Sequence, residues 1–304
     1  LDDSASLQAV HDGRSAADRA RLAAEKILAA EGRDAVATVV TTGERPELLV
    51  EIDATDPVAA GNAIAALGTL ADQALASELR GPLAGLNARP GAIDLRIQRR
   101  YNPEGLTAYN IVPGLMGVIL TMTMVLMTGL AMTRERERGT FENLLSTPAT
   151  ATEVMTGKIV PYILIGLIQV TLILLAARWI FDVPMHGSLL LLYGVVLLFI
   201  CANLTLGITF SSLARNQLQA MQMSFFFLLP NILLSGFMFP YEAMPRFAQM
   251  LGQVLPLTHF MRIVRGVVLK GASFEHLAAE LTAMCAILAI LVVAASTRLS
   301  KKLV

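Results

Sequence analysis

The densest run of charged and hydroxyl side chains in the 304 residues is Arg134-Glu-Arg-Glu-Arg-Gly-Thr-Phe-Glu-Asn-Leu-Leu-Ser-Thr-Pro148. Charges of both signs alternate through Arg138, and Gly139 is placed to end a helix in a left-handed cap. Thr140 then suits the start of a short helix on which Phe141, Leu144 and Leu145 share one apolar face. Thr150 and Glu153 have capping-box spacing for the helix after it. A short amphipathic helix edged with mixed charge does recognition rather than bond-making. It either docks in a groove on another protein or lies as a salt-bridged stub against lipid headgroups.

Groups that break or make bonds are thinly spread. The four histidines, His11, His186, His259 and His276, are scattered, and no metal-ligand spacing joins them to the two cysteines, Cys201 and Cys285, which sit in apolar runs. His259 follows Thr258, where a structural hydrogen bond outweighs catalysis. No Gly-x-x-x-x-Gly-Lys-Ser/Thr occurs, and Gly157-Lys158 is followed by Ile159, Val160 and Pro161, so these residues carry no phosphate-binding loop. The formal net charge of +0 gives no global basic excess, and nucleic acid is a poor partner.

What holds these groups is set by composition. Hydrophobic residues make up 55% and charged residues 16%, against about 25% charged in soluble domains, and the apolar residues are concentrated after residue 105. No Asp, Glu, Lys or Arg occurs from Leu106 to Thr133, and about 20 apolar residues suffice to cross a bilayer as a helix. Similar runs give expected spans at about 106–133, 159–180, 187–214, 216–239 and 277–297, the last with only Glu280 near its start. Residues 1–105 read instead as an α/β domain: a helix over Ser15–Ala30, strands at Val36–Thr41 and Leu48–Asp53, a helix opened by Asp56-Pro57, and a third strand over Ile93–Tyr101. The fold class is therefore an α-helical integral membrane protein, with five visible spans, carrying an N-terminal extracytoplasmic α/β domain.

Orientation follows from Lys and Arg near the span ends. Arg134, Arg136, Arg138 and Lys158, then Arg215, then Arg298, Lys301 and Lys302 fall on one face, the cytoplasmic one, if the spans alternate. That places residues 1–105 outside and the C-terminus inside. Residues 240–276, with Arg246, Arg262, Arg265 and Lys270, break the bias and are expected as an outer re-entrant or interfacial amphipathic segment whose cations snorkel. An exported domain needs a route across, so a further helix upstream of Leu1 is expected, making six spans in all.

The 134–158 stretch resembles the cytoplasmic coupling segment of ABC-2 type permeases: Arg134, Glu135, Glu137, Gly139, Thr140, Glu142, Leu144, Leu145, Thr147, Pro148, Gly157 and Lys158 match its pattern. Leu234-Ser-Gly-Phe-Met-Phe-Pro240, Met244-Pro245, Pro256-Leu-Thr-His-Phe260, Arg262, Arg265-Gly266 and Lys270-Gly271 resemble its outer re-entrant segment. Tyr101-Asn-Pro103 and Val112-Pro-Gly-Leu115 resemble its join between outer domain and span.

The resemblance implies the permease subunit of an ATP-driven exporter in a bacterial inner membrane, moving an amphipathic or bulky solute such as a drug-like compound, lipid or glycan. It implies a non-catalytic subunit without a cofactor, ATP being bound by a separate cytoplasmic ATPase, and a dimer with a second permease copy or paralogue. The outer domain is similar to those of drug-efflux systems that work with a periplasmic adaptor. Segment 134–157 would then contact the ATPase through Glu135, Glu137, Arg138, Gly139, Thr140, Phe141, Glu142, Leu144 and Leu145. Gly236, Pro240, Pro245, Pro256, His259, Arg262 and Arg265 would shape the outer segment. Gln169, Asn203, Gln222 and Asn231, polar groups within spans, either line the solute path or hydrogen-bond between helices. Met116, Met122, Met124, Met127 and Met132 offer either a soft solute surface or ordinary packing. The rivals are an ion-coupled secondary transporter, for which four of the spans lack ionisable groups and Glu280 is near an interface, and a membrane-embedded enzyme, for which no clustered site is visible.

Overall fold

The computed structural model describes residues 35–42, 45–78, 94–139 and 151–300. They belong to two compact units, Leu1–Thr107 and Ala108–Val304. The expected helix over Ser15–Ala30 lies outside the described residues.

The first unit contains β1 (Ala35–Thr42), β2 (Arg45–Asp53), α1 (Pro57–Glu78) and β3 (Asp94–Arg100). β2 is central, antiparallel to β1 and parallel to β3, and a parallel neighbour requires a crossover, here containing α1. β2 starts earlier than its apolar stretch because pairing with β1 continues to Thr42 and Arg45. Val50 and Ile52, two apart and so on one face of β2, are buried with Ala54, Ala60 and Leu67. Asp56 caps α1, its Oδ1 accepting the amides of Val58 at 3.0 Å and Ala59 at 3.3 Å, with Pro57 at the first helical position. Beyond β3, buried Asn102 closes a short loop, its Nδ2 donating to the Leu106 carbonyl and its Oδ1 accepting the Leu106 amide.

The second unit is helical: α2 (Thr107–Glu137), α3 (Ala151–Trp179), α4 (Leu189–Leu213), α5 (Gln217–Leu234), a 3-10 turn Tyr241–Ala243, α6 (Arg246–Gly252), α7 (Pro256–Lys270) and α8 (Phe274–Ser300). Among the described residues, four stretches are long and apolar enough to cross a membrane: Thr107–Glu137, Ile159–Trp179, Leu189–Leu213 and Phe274–Thr297. The expected span 216–239 is cut to α5, which has 18 residues and a length of about 27 Å. Gln217, Gln219, Gln222 and Asn231 dilute it, and Ser235 with Gly236, at φ +80°, ends it.

α4 is the centre of this unit and packs against α3, α5, α7 and α8. Its Leu192, Val196, Phe199, Ile200 and Leu204 are fully buried, and Phe199 stacks on Phe260 of α7 with ring centroids 3.9 Å apart. α7 lies within the segment 240–276 expected to be re-entrant or interfacial, and twelve of its fifteen residues are buried. His259, Arg262 and Arg265 on it find hydrogen-bond partners inside the protein.

Where α2 crosses α4 the backbones nearly touch. A Cβ at Gly207 would lie 2.8 Å from the Val125 carbonyl oxygen and 2.9 Å from Thr128 Cβ. Small residues at such crossings let van der Waals packing stand in for the missing hydrophobic drive in lipid. Gly207→Ala is therefore expected to destabilise the detergent-solubilised protein by about 1–3 kcal/mol. Gly194→Ala on the same helix meets nothing within 4 Å and should be neutral or stabilising. Thermal unfolding of both variants checks this, and equal melting temperatures would refute the crossing's importance.

Candidate functional site

Two polar constellations stand at opposite ends of the helices. The first lies where α2 ends beside the turn from α4 to α5. Gly139 ends α2 with φ +68°, and Arg136 and Glu137 shortly before it face different helix termini. Arg136 Nη1 donates to the carbonyls of Ser211 at 3.0 Å and Ala214 at 3.1 Å, among the last carbonyls of α4. Glu137 Oε1 accepts the Gln217 amide at 2.8 Å, and its Oε2 accepts from Gln217 Nε2, at the first turn of α5. A cation on a helix C-terminus and an anion on an N-terminus both complement the helix dipole. Of the expected coupling residues, Glu135, Glu137, Arg138 and Gly139 are on this end of α2, while Thr140, Phe141, Glu142, Leu144 and Leu145 lie outside the described residues.

The second constellation ties α7 to α8. His259 Nδ1 lies 2.5 Å from Glu280 Oε2, and its Nε2 lies 2.8 Å from the Gln253 carbonyl oxygen. Arg262 Nη1 donates to Glu280 Oε1 at 2.9 Å, and its guanidinium sits 4.3 Å from the centre of the Tyr241 ring. Arg265 Nη2 donates to the Gly236 carbonyl at 3.0 Å. Gln249 Nε2 donates to the carbonyls of Tyr241 and Met244, and Tyr241 Oη donates to that of Gln249. Pro240 and Pro245 precede the 3-10 turn and α6, and Pro256 opens α7. The knot thus unites Gly236, His259, Arg262 and Arg265 with Glu280, Tyr241 and Gln249, whose parts in it sequence reasoning missed. The available signal was Glu280 itself, since a carboxylate in an apolar helix needs a partner.

The four polar span residues do not gather round one cavity. Gln169 Oε1 accepts from Thr123 Oγ1 at 2.9 Å, beside an apolar cleft of about 340 Å³ formed by Ile119, Ile165, Ile168 and Leu172. Asn203 is fully buried, with Nδ2 donating to the Phe199 carbonyl at 2.9 Å and Oδ1 unpaired. Asn231 is also fully buried, with both side-chain amide atoms unpaired, whereas Gln222 is exposed. Met116 and Met124 are in the core, and Met122 and Met127 are on the open face.

Neutral imidazole offers one donor and one acceptor, but Nδ1 and Nε2 of His259 face a carboxylate and a carbonyl. The imidazolium satisfies both, so the ring works as a tie and is not free to act as a base. Its pKa is raised above the usual value, first by the Glu280 hydrogen bond and further by the Gln253 carbonyl, against opposition from burial and the Arg262 charge. A raised folded-state pKa means that the contribution is fully present below about pH 6.5 and is lost as pH rises through the folded value. The melting temperature of the purified protein should therefore fall as pH is raised through and above neutrality. His259→Gln should lower stability at acidic pH and flatten that dependence, whereas parallel profiles for both proteins would contradict the assignment.

Residues 86–269 match the family model for the ABC-2 type transporter. The probable multidrug ABC transporter permease YbhR of Escherichia coli is 35% identical over 187 residues, 62% of this chain and 51% of the relative. Its counterpart YbhS is 35% identical over 59% of this chain and 48% of the relative. The inner membrane transport permease YhhJ of the same organism is 32% identical over 241 residues, 78% of this chain and 63% of the relative. The chain thus spans about half the length of the first of these relatives. No solved structure matches. With the family match covering more than half of the chain and four helices able to span a bilayer, the chain belongs to the ABC-2 type transporter family.

Proposed function

We propose that this chain forms the permease part of an ATP-driven exporter that moves amphipathic or bulky solutes outward across a bacterial inner membrane. The observation that carries the reading is the family match over residues 86–269, joined by relatives named as multidrug permeases and, in Bacillus subtilis, as a linearmycin resistance permease. In this reading ATP is bound and hydrolysed by a separate cytoplasmic subunit, the arrangement that the family resemblance implies. A second permease copy or paralogue completes the translocation unit, and a periplasmic adaptor extends it. In this reading residues 1–105 face outward, and Arg134–Gly157 and the C-terminus face the cytoplasm, as the cation distribution requires.

Orientation is checked with Asn62→Cys and Arg138→Cys, each in a background lacking Cys201 and Cys285. An impermeant thiol reagent applied to intact cells should label the first and not the second. Equal labelling would remove the orientation.

Within the same reading, Phe141, Leu144 and Leu145 supply docking energy to the ATPase at about 25 cal/mol for each Å² buried, and Glu142 sets alignment. Replacing Leu144 and Leu145 by Ser should release the ATPase, because apolar burial is lost and two hydroxyls enter an apolar groove. Glu142→Lys should leave complex assembled but poorly coupled. Co-purification, ATP hydrolysis and efflux of an amphipathic dye distinguish the two failures, and normal assembly and transport in both variants would sink the docking role.

A further inference from the structure

The turn joining α4 to α5 satisfies most of its own backbone. Asn216 Oδ1 accepts the Gln219 amide at 2.8 Å, and Gln219 Oε1 accepts the Arg215 amide at 2.7 Å. The Ala214 amide donates to the Phe210 carbonyl. The carbonyls of Ser211 and Ala214 and the amide of Gln217 are met from outside the turn, by two adjacent side chains of α2. Arg136 takes the two carbonyls and Glu137 the amide, each with the charge sign that its helix terminus favours. Exchanging the two residues would put an anion on a C-terminus and a cation on an N-terminus, so order as well as presence matters. Two turns above, the Gly207 crossing brings α2 and α4 to within backbone contact. The last turns of α2 are therefore held to α4 at two levels, and to α5 at its first residue.

We propose that Arg136 and Glu137 are positioning residues for transport, clamping the end of α2 to the α4–α5 turn so that an ATPase acting on residues 140–150 bears on α4 and α5 through α2. This rests on the reading above, in which an ATPase engages that segment. Arg138 and Gly139 are all that lie between Glu137 and Thr140, so the clamp adjoins that segment along the chain. α4 and α5 are also the helices that bury Asn203 and Asn231. On this proposal Glu137 is committed within the permease, to Gln217, and its contribution to coupling is internal.

The test uses the assembled permease with its co-expressed ATPase in nanodiscs, without Cys201 and Cys285, and with Arg215→Cys as a reporter on the turn. ATP with vanadate should change the reaction rate of this thiol by about fivefold or more. The neutral double variant Arg136→Gln, Glu137→Gln should retain the ATPase but reduce that change to less than about twofold. Arg136→Lys with Glu137→Asp, which keeps both charge signs, should restore most of it. A loss of folding alone would lower the melting temperature of both double variants and would not be rescued by charge. If the neutral variant keeps the full nucleotide-dependent change, or if the parent shows none while its ATPase is bound, the clamp is overturned. If instead no ATPase co-purifies with the parent, the underlying reading of the 140–150 segment fails.

Discussion

A helix leaves unpaired carbonyls at one end and unpaired amides at the other, which side chains, water or neighbouring helices must meet. Much of the second unit is arranged around meeting that demand. α4 ends at Leu213 and α5 begins at Gln217, so two helix termini of opposite polarity face each other across three residues. Arg136 and Glu137 close both from a third helix. Because the donor and acceptor come from consecutive residues of α2, neither terminus can shift without disturbing the other. The local rule for capping a helix thereby becomes a tertiary constraint among three helices.

The same requirement explains why α7 can be buried although its sequence carries two arginines and a histidine. Arg262 and His259 converge on one carboxylate, Glu280, and Arg265 reaches the carbonyl of Gly236. Charge removed from water is tolerable only when paired and fully hydrogen-bonded, and losing one partner would leave the other exposed to a low dielectric. With its polar face tied to α8 and to the loop after α5, α7 presents Leu257, Phe260, Val264 and Val267 to the core. The Phe199–Phe260 stack then fixes α7 against α4.

Asn203 and Asn231 contrast with these satisfied groups. Both are fully buried, one with an unpaired oxygen and the other with its whole amide unpaired. Orphaned polar atoms of this kind mark places where a fold retains polarity at a cost in stability. That they sit on α4 and α5, the two helices joined by the clamped turn, gives those helices a polar content that packing alone does not require.

Composition and hydrophobic periodicity were enough to separate an α/β unit from a helical membrane unit, because those signals are local and repeat over many residues. Asp56-Pro57 announced the start of α1 for the same reason, as a cap is read from neighbouring residues. Sequence also marked the Arg134–Pro148 run, but its mixed charges were consistent with docking on a partner or with a salt-bridged stub against headgroups. Only tertiary structure assigned Arg136 and Glu137 to the ends of α4 and α5, some 75–80 residues away. It likewise showed α7 to be largely buried, with the carboxylate that pairs His259 and Arg262 coming from another helix. Periodicity determines which face of a helix is apolar, whereas the partners of a charge depend on which helix ends the fold brings together.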